Sequence, residues 1–174
     1  MNNIILIGMP SSGKSTVGVL LAKALGYRFL DTDLLIQEKT GQLLHELISE
    51  KGKDAFLALE DRLLSEICAE RTVIATGGSA VYGKEAMAHL RSLGTVIYLK
   101  IDLDTLAARL GDYTHRGVVQ MHGNDLPSLF AERTPLYEQY ADCTVDEALL
   151  DGDLGRTMEA VLSTVSEKPS GSCR

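Results

Sequence analysis

Apolar and polar positions along this chain follow two rhythms that take turns. Short apolar runs at Ile4–Gly8, Tyr27–Leu30, Thr72–Ala75, Thr95–Leu99 and Cys143–Val145 predict five strands of the kind a parallel sheet buries on both faces. Between them, spacing of three and four predicts helices over Lys14–Leu25, Asp31 to about Lys39, Leu43–Glu50, Asp54–Cys68, Lys84–Ser92, Leu103–Leu110, Leu126–Tyr140 and Leu154–Ser166. In the first of these, Val17, Leu20, Leu21 and Leu25 fall on one face. Asp31-Thr32-Asp33 caps the second, because Asp and Thr oxygens accept from the first free N–H groups. Gly26, Gly41 and the Lys51-Gly52-Lys53 break end helices, and Pro135 predicts a kink or a split. Strands joined by helices through short links make a parallel sheet with helices on both faces, a three-layer α/β/α architecture. Ligands of such sheets bind beyond the C-terminal strand ends. Gly8–Ser15, Asp31/Asp33 and Gly77/Gly78 all fall at such ends, which predicts one shared pocket.

The first of those clusters carries the sharpest chemistry. Residues 8–15 read Gly-Met-Pro-Ser-Ser-Gly-Lys-Ser, the G-x-x-x-x-G-K-S phosphate-binding loop, set between a predicted strand and a predicted helix. Backbone N–H groups and the positive helix end converge there on an anion, with Gly8 and Gly13 permitting the close approach. Lys14 supplies a point charge for β- and γ-phosphates, and Ser15 a hydroxyl ligand for Mg²⁺. Ser11, Ser12 and Thr16 complete the expected ATP cradle.

Composition narrows the rest. A chain of 174 residues with 45% hydrophobic and 24% charged residues is one globular domain. We expect it to span residues 1–166, with 167–174 a disordered tail. A net charge of −7 predicts neither a nucleic-acid nor a membrane surface, so a polyanionic ligand must be held by local positive charge. The start of the sequence shows neither a signal peptide nor a membrane span, and Cys68, Cys143 and Cys173 lack pairing or metal spacing. These features predict a cytoplasmic monomer with reduced thiols.

Phosphoryl transfer also needs a metal site, a group that orients the acceptor hydroxyl, and cationic stabilisation. An extended Asp-x-Asp points both side chains the same way, so Asp31 and Asp33 are expected to divide magnesium binding and hydroxyl activation. Gly77 and Gly78 could bring backbone N–H groups to a substrate. The polar stretch Gly111–Asn124 is a candidate lid carrying Arg116 to the phosphates. Arg109, near the end of the preceding helix, is a candidate for stacking on adenine, and Arg133, beside Pro135, for projecting into the site.

Gly8–Gly18 (GMPSSGKSTVG), Leu25-Gly26, Asp31-Thr32-Asp33, Gly52 with Phe56 and Glu60, Ala75-Thr76-Gly77-Gly78, and Arg133-x-Pro-Leu-Tyr followed by Ala141-Asp142 together resemble the shikimate kinases. The likeness runs from residue 3 to about 146. It implies a P-loop NTPase of the nucleoside-monophosphate-kinase-like type, with five parallel strands, in which Mg-ATP phosphorylates a small hydroxylated acid. The same resemblance puts Asp33, Gly78 and Arg133 at the acceptor, Lys14 and Arg116 at the phosphates, and Ser15 and Asp31 at magnesium. It also exposes departures. Leu57 stands where the family pattern Phe-Arg-x-x-Glu has an Arg that the resemblance assigns to the acceptor carboxylate. Losing one such charge-assisted contact costs about 1.5–3 kcal/mol. Ser79 replaces a third Gly, and the lid reads Arg116-Gly117-Val118 rather than Arg-Pro-Leu. Shikimate is the first expected acceptor, and homoserine or another small alcohol the alternative. A nucleotide-binding regulatory protein without turnover is the reading from another class. A GTPase lacks support, because no Asn-Lys-x-Asp motif occurs.

Overall fold

The structure, a computed structural model, describes residues 3–110, 125–150 and 153–167. Five strands form one sheet: β1 (Asn3–Ile7), β2 (Arg28–Asp31), β3 (Thr72–Ala75), β4 (Gly94–Lys100) and β5 (Cys143–Asp146). Their order is β2-β3-β1-β4-β5, and all four pairings are parallel. Eight helices are described: α1 (Lys14–Leu25), α2 (Thr32–Thr40), α3 (Leu44–Lys51), α4 (Lys53–Ser65), α5 (Lys84–Leu93), α6 (Leu103–Leu110), α7 (Leu126–Tyr140) and α8 (Leu154–Glu167).

Strand periodicity divides the core in two. In β1, Ile5 and Ile7 point to one face of the sheet, where they meet Phe56 and Leu64 of α4, Met87 and Leu90 of α5, and Tyr137 of α7. Ile4 and Leu6 point to the other, against Val17 and Leu21 of α1 and Val161 of α8. The layers are therefore α/β/α. The order of the strands puts β1 in the middle, so the loop that follows it opens at the centre of the sheet's C-terminal edge. No helix among the described residues is long and apolar enough to cross a membrane.

Several expectations change in detail. Leu20 is exposed, and Gly18 and Ala22 join Val17 and Leu21 on the buried face of α1. The face turns this way because α1 lies close on the sheet: a Cβ on Gly18 would stand 2.7 Å from the Phe29 ring. Helix α4 stops at Ser65, three residues before the expected end at Cys68. A 3-10 turn, Ala80–Tyr82, forms where only a loop is expected. Helix α7 runs unbroken through Pro135, so the predicted split does not occur. The residue range 111–124, with Arg116, lies outside the described residues, as does almost all of 167–174.

Candidate active site

The loop after β1 is held in a conformation ordinary residues avoid. Gly8 (φ 149°) and Gly13 (φ 89°) take positive φ, and so does Ser11 (φ 60°). At Gly8 the reason is steric, because a Cβ there would lie 2.6 Å from the Leu99 carbonyl oxygen of β4. Lys14 begins α1 and folds its side chain back over the loop. Its Nζ donates to the carbonyl oxygens of Gly8 (2.8 Å) and Met9 (2.6 Å) and to Ser12 Oγ (3.3 Å). Burial lowers this ammonium to about 8, against the opposing charges of Asp33, Asp31 and Glu147. Gly8 and Ser12 thus shape the cradle from behind. Ser11, Gly13, Lys14, Ser15 and Thr16 line the cleft itself, which measures about 620 Å³.

Asp31 and Asp33 come together by a different route from the one predicted. Asp31 ends β2 in an extended conformation (φ −100°, ψ 120°), whereas Asp33 already lies in the first turn of α2. Asp31 Oδ1 caps that helix, accepting from the N–H groups of Asp33 (3.0 Å) and Leu34 (3.4 Å). Its Oδ2 accepts from Ser15 Oγ at 2.7 Å. One carboxylate therefore serves as helix cap and as partner to the phosphate-loop serine. Asp33 is left to face the cleft beside Lys14, and burial, with the Asp31 charge added, raises its carboxyl to about 6.

Gly77 and Gly78 line the opposite wall, and here the expected role of Gly77 is corrected. Its N–H donates to Thr32 Oγ1 at 3.0 Å and is not free for a substrate. What Gly77 provides is space. A Cβ at that position would stand 2.6 Å from Asp33 Oδ1 and 2.8 Å from Glu60 Oε1, so two carboxyl groups occupy the space that a side chain would need. At Gly78 a Cβ would meet the Pro10 ring at 2.8 Å and Arg133 Nη1 at 3.1 Å. Bonds from the Thr76 N–H and Oγ1 to the Leu6 carbonyl (both 3.1 Å) tie this turn to the end of β1.

Arg133 projects from α7 into this wall and is 1% exposed. Its Nε donates to Tyr82 Oη at 3.2 Å, and the guanidinium carbon lies 5.3 Å from the centre of the Tyr82 ring. Nη2 has no partner, and no carboxylate among the described residues forms an ion pair with it. A buried guanidinium N–H group without a partner is costly, and an anionic ligand removes that cost. Tyr137, one turn further along α7, donates its hydroxyl to the Gly78 carbonyl at 2.6 Å and stacks on Tyr98. Sequence spacing singles out neither Tyr82 nor Tyr137 as a site residue. The only sequence signal was Tyr137 within the Arg-x-Pro-Leu-Tyr motif.

Two departures from the family pattern meet at Glu60. This residue of α4 is 2% exposed, and its Oε1 has no partner. Leu57, one turn earlier, is half-buried and packs against the apolar core, while the Ser79 hydroxyl bonds to the carboxyl. Burial raises Glu60 to about 7; the Ser79 bond and Arg133 oppose that rise and Asp33 adds to it. The folded protein therefore holds a proton that the unfolded chain releases near 4.5. Stability from this site is full below pH 4.5 and is lost as pH rises through 7. We expect Glu60→Gln to gain on the wild type by on the order of 3 kcal/mol between pH 4.5 and pH 8. Unfolding curves of both proteins across that range test this, and parallel profiles would contradict it.

Arg109 at the end of α6 also lines the cleft, with Nη1 3.4 Å from the Ser11 carbonyl oxygen. Its Nη2 pairs with Glu147 Oε2 at 2.7 Å. The cleft thus combines the Gly-rich loop, the Ser15 hydroxyl backed by Asp31, a carboxyl at Asp33 and a buried guanidinium.

Comparison with known proteins agrees with this geometry. The sequence profile of the shikimate kinase family matches residues 10–165. A shikimate kinase of Nostoc sp. is 37% identical over 174 residues, covering 97% of this chain and 95% of that protein. Among solved structures, the shikimate kinase of Acinetobacter baumannii in complex with shikimate superposes with a TM-score of 0.85 at 27% identity, covering 98% of this chain and 96% of that one. The shikimate kinase of Aquifex aeolicus gives 0.80 at 30% identity, covering 98% and 99%. The chain belongs to the shikimate kinase family of ATP-dependent small-molecule kinases.

Proposed function

We propose that this protein transfers the γ-phosphoryl group of ATP to a hydroxyl of shikimate, giving shikimate 3-phosphate and ADP. The observation that carries the acceptor is Arg133, a buried guanidinium with an unpartnered Nη2 in the same cleft as Lys14 and Asp33. A small acid whose carboxylate meets Arg133 has its hydroxyls on the side of Asp33 and the phosphate loop. The Acinetobacter baumannii relative in complex with shikimate, 96% of whose chain this one matches, supports the same choice.

In this reading Asp33 orients the acceptor hydroxyl and takes its proton as the oxygen attacks the γ-phosphorus, and the bond to the β-phosphate oxygen breaks. Lys14 leaves part of its bonding with the loop carbonyls to meet the β- and γ-phosphates. Gly78 keeps the acceptor close to Pro10 and Arg133. Ser15 Oγ and Asp31 Oδ2, 2.7 Å apart, are hard oxygen donors suited to Mg²⁺, which takes one or two protein ligands and completes its shell with phosphates and water. Bound magnesium would neutralise charge on the phosphates. Arg116 belongs to this proposal as the lid cation, and the protein acts as a cytoplasmic monomer.

The departure at Leu57 makes the acceptor test quantitative. Arg at position 57 would sit one helical turn from Glu60, pair with its free oxygen and add a second cation beside the acceptor carboxylate. Leu57→Arg is expected to lower the KM for shikimate about ten- to a hundredfold while leaving the KM for ATP unchanged. ADP release measured with shikimate, homoserine and a panel of small hydroxy acids checks both parts. Turnover restricted to homoserine, or a shikimate KM indifferent to Leu57→Arg, would overturn the assignment of the acceptor.

A further inference from the structure

We propose that Lys53 is a second cation for the carboxylate of the acceptor, held at the rim of the cleft by the Tyr82 ring that also carries Arg133. The inference rests on the reading of the acceptor as a small acid given above. Helix α4 opens at Lys53, behind Gly52, which offers no side-chain cap. A cation is disfavoured at that end of a helix, so helix stability does not account for the residue. Lys53 is half-buried, and among the described residues it makes no hydrogen bond and no ion pair. Its ammonium lies 5.7 Å from the centre of the Tyr82 ring. That ring belongs to the turn Ala80–Tyr82, which follows the cleft-lining residues Gly77, Gly78 and Ser79 and packs between α4 and α7.

Two cations therefore meet on one aromatic ring. Arg133 reaches it from α7, with its guanidinium carbon 5.3 Å from the same centre and Nε 3.2 Å from the hydroxyl. The hydroxyl donates to Glu132 Oε1 at 2.8 Å, which fixes the ring and engages the exposed carboxylate beside it. A ring face holds an ammonium only weakly, so Lys53 can exchange that contact for a carboxylate and its charge-assisted hydrogen bonds. Its place on α4 is also the right one. Lys53 shares a helix face with Phe56, which lines the cleft, with Leu57 and with the buried Glu60. An Arg at position 57 would enter the site one turn further in. Lys53 covers part of that missing charge from the rim, where a chain of net charge −7 would otherwise repel an acid.

The test reads the KM for shikimate in full-length variants that step the charge at position 53. Lys53→Met keeps the stem and removes the charge, and is expected to raise this KM roughly three- to tenfold at low salt. Lys53→Glu should raise it by a similar factor again, and Lys53→Arg should stay within about twofold of the wild type. The loss should fall on the KM for shikimate and not on the KM for ATP. It should also shrink at ~0.5 M salt, as the charge is screened. In the Leu57→Arg protein the deeper guanidinium holds the carboxylate, and Lys53→Met should then cost no more than about twofold. A KM that ignores the charge at position 53 would overturn the proposal. So would an equal loss in Lys53→Met and Lys53→Arg, which would assign Lys53 to the packing of Tyr82. An effect of Lys53→Met that neither salt nor Leu57→Arg diminishes would overturn it as well. Lys53→Glu decides the matter if Lys53→Met does not fold. Failure of the wild type to phosphorylate shikimate at all would instead sink the acceptor reading itself.

Discussion

Lys14→Ala is expected to reduce kcat/KM for ATP by roughly 10³-fold or more while the protein still folds. The ammonium is buried, its three contacts all go to the loop that it helps to shape, and burial already brings it down to about 8. Near neutral pH it carries its charge into a space shielded from water, where a phosphate group gains most from it. Alanine removes that charge and also takes the Lys14 donor from the Gly8 carbonyl, while the Met9 carbonyl keeps only its bond from the Ser12 N–H. Some stability is lost in consequence, about 1–3 kcal/mol. Stopped-flow or coupled-assay kinetics alongside thermal unfolding separate the two effects. An enzyme with near-normal kcat/KM after this change would overturn the assignment of the loop.

Asp33→Asn is expected to lower kcat by roughly 10²- to 10⁴-fold with little change in ATP affinity. The substitution keeps shape and volume where Gly77 leaves room for a carboxyl oxygen at 2.6 Å from a Cβ that is not there. It removes the only carboxylate among the described residues that line the cleft, and Asp31 is already engaged by Ser15 and by the helix cap. A drop in ATP affinity as large as the drop in kcat would instead assign Asp33 to the nucleotide.

These two residues were legible for different reasons. Lys14 belongs to an unbroken stretch of sequence whose spacing is itself the geometry, so the loop could be read in one dimension. For Asp31 and Asp33 the strand alternation that the sequence suggests is not what brings them together. The chain changes from strand to helix between them, and it is the helix cap, not strand alternation, that sets where the two carboxyls point. Gly77 shows the limit of local reading. A glycine pair after a strand suggests free N–H groups, but the Thr32 hydroxyl, 45 residues away, takes one of them. The carboxyls that require a glycine there come from α2 and α4.

The remaining site residues arrive from elements with no local signature. Tyr82 lies in a 3-10 turn that apolar spacing does not announce, and Glu147 lies just past an edge strand. Their importance comes from which arginine each one touches. Arg133 looks like any helical arginine by spacing and stands out only through resemblance. The fold itself was more accessible, because alternating strand and helix periods leave few topologies open. Leu20 was misassigned since the close approach of α1 at Gly18 rotates the buried face toward Ala22.

The most direct measurement is ³¹P NMR of the wild-type protein incubated with ATP, magnesium and shikimate. The account predicts a new phosphate monoester resonance on shikimate, growing in step with ADP and absent when shikimate is omitted. ATP that binds and stays intact, or ADP that forms with inorganic phosphate and no ester, would contradict it.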